Sequence, residues 1–496
     1  MKTDDGLNHS MKRISYEFII GLVFILAGCT AQPTIVVNPT DDQRDEFPTG
    51  TAASVSAQAV ATATAGPTAI PAPTSLNPEG PYVLFEGEDG IWIANPDGTF
   101  LTRLSDRGFV TPYQDPHRAI SPGGDRLAQI ILTEAGAKLI IIHLPGGETE
   151  FVAHLSDRPE SSNITSQVGL AYHAITNYDN VAWQPGEGRL LAFIGAMDGP
   201  TADLYVYDTV TKEIAQLTDG LSQALFPSWS PDGEYILNFG GSWLPPFGGA
   251  LVGYSRADGA WAVRVSDGSV IRQPGELKSH FNFLAWVDDD HYLYSGSAEG
   301  CNSRDIRLVA VDEVTETTIF EGCYDYYDAL SPEDGALLLS SLGCEQCPLG
   351  EGTFLLLPGE TTSTQVWPEK AWGIDWIPES DVFHAYPLGL VSSDGQRRYD
   401  IPDTDASFNP ALSSQGWVAW EVIENRQGRV ELAAPDAEFH TILETNVATM
   451  IWDPEDGNTL LVVSGGGTLY ALTAPDFVTR IVGELGDGAD QAIWLP

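Results

Sequence analysis

The chain has 496 residues and carries 69 acidic against 24 basic side chains, a formal net charge of −45 at pH 7. Such a surface repels nucleic-acid phosphates and anionic lipid headgroups, which excludes nucleic-acid binding; it also keeps an exported protein soluble, and a cation-rich partner is the alternative reading. The 43% apolar content supports a large core, and 50 glycines and 33 prolines favour turns over helices.

Residues 1–28 are predicted to be a lipoprotein signal peptide, and Met11 is predicted to be the true start of translation. Lys12 and Arg13 form its basic region, and Phe18–Leu26 is an apolar core too short to span a bilayer comfortably. Leu26-Ala-Gly-Cys29 follows and resembles the lipobox of bacterial lipoproteins. Cys29 would then be the lipidated first residue, in the bacterial cell envelope outside the cytoplasm. An ordinary secretory signal with an incidental cysteine is the alternative.

Residues 29–78 are predicted to be a disordered tether. The segment is rich in threonine, alanine and proline, as in Ala61-Thr-Ala-Thr-Ala-Gly-Pro-Thr, and contains nothing that buries a core. A flexible chain of this length has a mean reach of roughly 40 Å. The membrane is therefore contacted only through the lipid, and the protein is expected to be a monomer.

Residues 79–496 repeat one pattern with a period of about 40 residues. The clearest copy is Trp229-Ser-Pro-Asp-Gly233 followed by an apolar run, preceded by Asp203-Leu-Tyr-Val-Tyr-Asp208 and Leu217-Thr218. Four short strands at this spacing predict an all-β fold, a single β-propeller of four-stranded blades. Each unit is marked by the residue that follows its anchor, the tryptophan, leucine or isoleucine before the turn. These marker residues are Ser121, Gln184, Ser230, Val287, Ser331, Ile377, Ser413 and Asp453.

Each unit is predicted to hold strands a, b, c and d, with short a–b and c–d turns. The b–c and d–a connections vary in length and share one face of the disc. Because the Trp376 unit is short and weak, we expect about eight blades, within a range of seven to nine. No segment beyond the N-terminus shows helical periodicity.

The two ends of the repeat region predict ring closure. Tyr82–Asp106 contains strands b, c and d without a strand a, whereas Gln491–Pro496 is a strand a with no blade after it. The last strand is therefore expected to complete the first blade, which removes the open sheet edges.

The repeats resemble the TolB-type propeller family, most closely at residues 180–239 and at Gly90–Asp106. The resemblance implies a propeller that serves as a protein-interaction platform or as the gating domain of a prolyl-oligopeptidase-like peptidase. The chain has more units than TolB and shows no counterpart of its helper domain. No Gly-x-Ser-x-Gly nucleophile elbow occurs, which argues against the peptidase, and the sequence predicts no catalytic residue, metal site or cofactor.

The four cysteines after Cys29 are candidates for disulfides in an exported protein. The simplest pairing joins Cys301 to Cys323 and Cys344 to Cys347; crossed pairing between blades and a four-thiolate zinc site are the alternatives. These residues are Cys301, Cys323, Cys344 and Cys347.

Three long connections are the predicted ligand-binding region, because aromatic and histidine side chains on glycine- and proline-rich loops suit peptide or sugar binding. The connections are Asp157–Asp179, Gly240–Gly249 and Gly275–Phe283. Their candidate ligand-binding residues are Tyr172, His173, Tyr178, Trp243, Phe247 and His280. The alternative is that Trp243 and Phe247 only cap their own blade.

The sequence therefore predicts a lipid-anchored module that binds or scaffolds a protein, peptide or glycan in the envelope. The rival is a propeller enzyme, a lyase or lactonase, with a metal held in the central channel by His173 and His280. Metal bound to the protein and lost on substitution of both histidines would favour the enzyme. Capture of a partner without metal would favour the module.

Overall fold

The structure is a computed structural model. It describes residues 75–495 apart from 78–79, 88–89, 110–115, 160–165, 221, 243–255, 274–282, 298–303, 321–327, 332–334, 343–349, 358–359, 361, 372, 378–379, 387–388, 396–397, 400–406, 434–439, 454–456, 487–488 and 490.

These residues form nine antiparallel sheets in chain order, named blades 1 to 9. Blade 1 contains β1 (Tyr82–Gly87), β2 (Gly90–Ala94), β3 (Thr102–Ser105) and β35 (Gln491–Leu495). Blade 2 contains β4 (Arg126–Thr133), β5 (Gly136–His143) and β6 (Glu148–Asp157). Blade 3 contains β7 (Val181–Trp183), β8 (Leu190–Gly195), β9 (Asp203–Asp208) and β10 (Ile214–Gln216).

Blades 4 to 6 follow the same order. Blade 4 contains β11 (Gln223–Trp229), β12 (Tyr235–Ser242), β13 (Arg256–Arg264) and β14 (Val270–Arg272). Blade 5 contains β15 (Phe283–Trp286), β16 (His291–Ser297), β17 (Arg304–Ala310) and β18 (Thr315–Phe320). Blade 6 contains β19 (Asp328–Leu330), β20 (Leu337–Leu342), β21 (Glu351–Leu356) and β22 (Thr364–Trp367).

Blades 7 to 9 complete the series. Blade 7 contains β23 (Gly373–Trp376), β24 (Val382–Tyr386), β25 (Gly389–Ser392) and β26 (Arg398–Tyr399). Blade 8 contains β27 (Ser407–Leu412), β28 (Val418–Glu424), β29 (Gln427–Ala433) and β30 (His440–Leu443). Blade 9 contains β31 (Val447–Trp452), β32 (Thr459–Ser464), β33 (Thr468–Thr473) and β34 (Val478–Glu484).

The prediction of an all-β propeller is confirmed. Eight of the sheets described have four strands, the expected number, and the three-stranded blade 2 brings the sheets described to nine, within the predicted range of seven to nine. First strands of neighbouring blades lie against each other, as β27 does against β31 and β31 against β35, so strand a lines the centre of the ring. Apolar side chains fill the space between sheets, for example Val83 and Phe85 against Leu461 and Val463.

The predicted ring closure is also confirmed. β35 pairs antiparallel with β1, with Tyr82 opposite Leu495 and Glu86 opposite Gln491. The C-terminal strand thereby supplies strand a of blade 1, so the first and last segments of the ring are covalently distant and adjacent in one sheet. Closure leaves no unpaired inner edge on β1.

Blade 2 departs from the repeat because its described residues include three strands instead of four. Residues Pro116–Ala119 form one helical turn, α1, and among the residues described before β4 the one pairing is a single bridge between Ile120 and Leu127. Proline suits the first turn of a helix since it lacks an N–H that would find no partner there. The anchor pattern at Ile120-Ser121 therefore predicts the turn correctly, but residues 116–119 directly before it are helical rather than extended.

The tight a–b turn follows from its residues. Gly233 donates its N–H to the Ser230 carbonyl at 2.9 Å and has φ of 72°, a left-handed conformation that favours glycine. Asp232 accepts from the Ser230 hydroxyl at 2.6 Å and from Glu234 N at 2.9 Å. A Cβ on Gly233 would also lie 2.8 Å from the Gln184 side chain of blade 3, so the glycine allows neighbouring blades to approach.

The Asp-Leu-Tyr and Leu-Thr elements of the repeat bind each other. Asp203, nearly fully buried at the start of β9, accepts from the Thr218 hydroxyl at 3.2 Å and from Gly220 N at 3.1 Å. Thr218 Oγ1 in turn accepts from Leu204 N at 2.9 Å. Burial raises the pKa of Asp203 despite these hydrogen bonds. The carboxylate therefore fixes the exit of strand d toward the next blade.

Candidate binding face

Strand order divides the connections between two faces of the ring. Because a, b, c and d run antiparallel in sequence, the a–b and c–d turns lie at one end of every blade, and the b–c and d–a connections lie at the other. We name these ends the turn face and the loop face. The segments between β6 and β7, β12 and β13, and β14 and β15 all leave from the loop face, as predicted.

The first of these segments contains a helix that the sequence analysis did not predict. α2 (Gln167–Thr176) begins at Ser166, whose hydroxyl accepts from Gly169 N at 3.0 Å. Its buried side includes Leu170 and Ala174, one helical turn apart. The expectation of a loop from 157 to 179 is wrong for these residues. The N-cap serine and the Leu170–Ala174 spacing were the available signals, but ten residues give a weak periodicity.

Three predicted binding residues lie on or just after this helix. The rings of His173 and Tyr178 meet edge to face with centroids 6.1 Å apart, and Tyr178 contacts the Phe226 ring of blade 4 at 5.2 Å. Tyr178 is 9% exposed, whereas Tyr172 and His173 are partly buried. Burial lowers the pKa of His173, so its imidazole is neutral at pH 7. The three side chains join α2 to the core, and their role in binding stays a prediction.

An arginine connects three blades beside this helix. Arg118 of α1 donates to the carboxylate of Asp179, just before β7, and to the carbonyl of Pro227 in β11. The Asp179 side chain is 4% exposed and that of Arg118 is 26% exposed. Asn180 caps the end of α2 by donating to the carbonyls of Ala174 and Ile175. Sequence reasoning missed this cluster because its members are distant along the chain.

A polar cavity of about 460 Å³ lies on the loop face of blade 8. The hairpin turn between β28 and β29 lines this cavity. Its residues Asn425 and Arg426 have φ of 53° and 68°, left-handed values that asparagine tolerates better than arginine. Arg429 at its wall pairs with Glu424 at 3.1 Å and Glu431 at 2.8 Å, and the hydrogen bond and charge of Arg429 lower the pKa of Glu424. The cavity therefore presents mixed charge and suits a small polar group.

The remaining predicted residues lie outside the described residues. They are Cys29, Trp243, Phe247, His280, Cys301, Cys323, Cys344 and Cys347. Within the part of the chain that is described, no three histidine, cysteine or acidic side chains are grouped to hold a metal ion. The helices in that same part include none with the length and apolarity needed to cross a bilayer.

Comparison with known proteins adds little beyond the fold. No protein-family model matches the chain. A stretch of 58 residues is 48% identical to the uncharacterized peptidase YuxL of Bacillus subtilis (strain 168), covering 11% of this chain and 8% of that protein. The match thus spans less than a tenth of that relative's length.

Solved structures with similar chain traces are distant in sequence. Dipeptidyl peptidase 4 of Porphyromonas gingivalis is 10% identical, with a TM-score of 0.45, over 83% of this chain and 59% of that chain. A eukaryotic initiation factor is 14% identical, with a TM-score of 0.48, over 84% of this chain and 98% of that chain. At these values the similarity bears on no activity.

Proposed function

We propose that the chain is a TolB-type, lipid-anchored propeller of the bacterial cell envelope that binds a protein, peptide or glycan on its loop face and acts as a scaffold. The signal-like segment before Cys29 and the tether of residues 29–78 support the anchor. One observation carries the binding role. Three long connections leave from the same face of blades 2 to 5 and are flanked there by ordered strands.

Long connections at one face suit recognition because a rigid ring fixes their ends while their side chains vary. On the turn face the same blades have short, regular turns, as at Ser230–Gly233. The polar cavity of blade 8 also lies on the loop face and supplies polar contacts there. Binding is therefore expected there rather than at the turns.

Affinity capture from native envelope tests this role. We expect Trp243→Ala to reduce the yield of the captured partner at least several-fold, because an aromatic side chain contributes strongly to a binding surface. The matched control is Phe151→Ala, which removes an aromatic ring that is 61% exposed on the outer strand of blade 2. Equal yields from wild type and Trp243→Ala would refute the loop-face assignment.

The anchor is tested separately by Cys29→Ser. This variant lacks the thiol that carries the lipid, so it should incorporate no radiolabelled palmitate in the bacterium, whereas the wild type should be labelled. Equal labelling of the two proteins, or no labelling of the wild type, would refute the lipoprotein assignment.

A further inference from the structure

The chain reaches its first strand at the turn face. Asn77 donates its N–H to Asn95 Oδ1 at 2.8 Å, and Asn95 Nδ2 donates to the Ser75 carbonyl at 3.3 Å. Asn95 begins the c–d turn of blade 1, where its N–H also donates to the Thr99 carbonyl at 2.9 Å. Residues 75–77 are therefore held against a turn rather than a loop-face connection.

Strand pairing gives the same answer independently. Tyr82 begins strand b of blade 1 and lies opposite Leu495, the final residue of strand a, so both are at the turn face. The six residues of β1 then run toward the loop face, a rise of about 20 Å. The loop face is consequently the end of the ring farther from residue 75.

The turn face is also strongly acidic. Exposed carboxylates lie there in blades 2, 3, 4, 5 and 7, at Asp125, Glu187, Asp232, Asp289, Asp312 and Asp381. Three of its arginines are already in ion pairs, Arg126 with Asp125, Arg189 with Asp208 and Arg264 with Asp312. Anionic headgroups repel such a surface within a Debye length of about 8 Å, well inside the roughly 40 Å reach of the tether.

From these observations we infer that the turn face is directed toward the membrane and that the loop face is presented outward, to a macromolecule approaching from the aqueous side. The inference rests on the proposed lipid anchor and specifies which partners reach the proposed site. Repulsion keeps the turn face off the bilayer without reversing the orientation, because the chain is attached at that face.

Energy transfer from the protein to labelled lipids tests the orientation. A fluorophore is placed through a genetically encoded ketone side chain at Asp198 or at Val210. Both lie in blade 3 and are exposed: Asp198 is in the b–c connection on the loop face, and Val210, 73% exposed, is in the c–d turn. Each full-length lipidated protein is inserted in phosphatidylethanolamine and phosphatidylglycerol vesicles with headgroup acceptors.

We expect higher transfer efficiency from position 210 than from position 198, because β9 separates the two labels by about 20 Å. Forms of both labelled proteins that begin at Ala31, and so lack Cys29 and the apolar segment before it, should show no transfer. Equal efficiencies, or a higher value at 198, would overturn the orientation while leaving the anchor intact. Absence of transfer from both lipidated proteins would refute the anchor and the orientation with it.

Discussion

The indole Nε1 of Trp229 donates a 2.9 Å hydrogen bond to the carbonyl of Ala182, so the tryptophan of one blade holds the inner strand of the blade before it. Trp183 makes the same contact with Ala119 at 2.7 Å, and Trp452 makes it with Ala411 at 3.1 Å. In each case the acceptor is the small residue that precedes the anchor of the previous repeat. The tryptophan of each such repeat therefore bonds to the small residue of the preceding repeat, and these bonds join neighbouring blades.

Trp229→Phe should lower the free energy of unfolding by about 1 kcal/mol or somewhat more, because the Ala182 carbonyl loses its donor and a small cavity forms. The measurement is urea unfolding followed by fluorescence and circular dichroism. Trp286→Phe is the control, since its Nε1 has no hydrogen-bond partner among the described residues. A loss for Trp286→Phe as large as that for Trp229→Phe would argue against a role for the bond.

Arg118→Gln should destabilise the ring by about 2–3 kcal/mol, because it removes a cation that is hydrogen-bonded to the buried carboxylate of Asp179. The double variant Arg118→Gln/Asp179→Asn should recover part of that loss. Arg189→Gln is the matched control: it breaks an Arg–Asp pair with Asp208 whose arginine is 52% exposed, and we expect no measurable change in its unfolding midpoint. Equal effects of the two arginine variants would show that burial of Asp179 is unimportant.

Acid should destabilise the protein partly through His384. Burial lowers the pKa of His384 in β24 to about 4, against about 6.5 in an unfolded chain. Between these values the unfolded state binds a proton that the folded state does not, so the stability present above pH 6.5 is lost as the pH falls toward 4. The loss from this residue is about 3 kcal/mol at most.

The measurement compares urea unfolding of wild type and His384→Gln from pH 7 to pH 4. The glutamine variant does not titrate in this range, so its stability should fall less steeply with acid. An equally steep loss of stability with acid in the two proteins would contradict a lowered pKa of His384 in the folded state.

Removal of the final strand should open the ring. A chain ending at Asp490 lacks β35 and exposes the inner edge of β1 together with the apolar side chains that pack on Ile493 and Leu495. We expect a marked fall in the thermal midpoint and concentration-dependent aggregation. A chain lacking only Pro496 should behave as the full protein. Unchanged thermal stability after the larger truncation would contradict ring closure.

The repeats could be predicted from the sequence because the residues that determine each turn and strand lie within the same repeat. Proline, aspartate and glycine determine the turn at Ser230–Gly233, and alternating apolar residues determine β9. Even the pairing of β35 with β1 followed from counting strands at the two ends. These features depend on residues close together or on the period of the whole array.

Only the position of the loop face could be predicted. Strand order placed the long connections on one side, but α2 packs on segments that are distant along the chain, such as β11. Arg118 and Asp179 are 61 residues apart, and Tyr178 and Phe226 belong to different blades. Loops have no repeating pattern that indicates such contacts, so the contacts of single side chains there could not be predicted from the sequence.

The pairing of Tyr82 with Leu495 has a consequence for how the protein is made. β1 precedes β35 along the chain by all the other blades, so blade 1 stays incomplete until every one of them has been made and β35 has emerged. During that interval β1 offers hydrogen-bonding groups to any passing strand. Assistance that shields β1 would therefore matter most until β35 is available to pair with it.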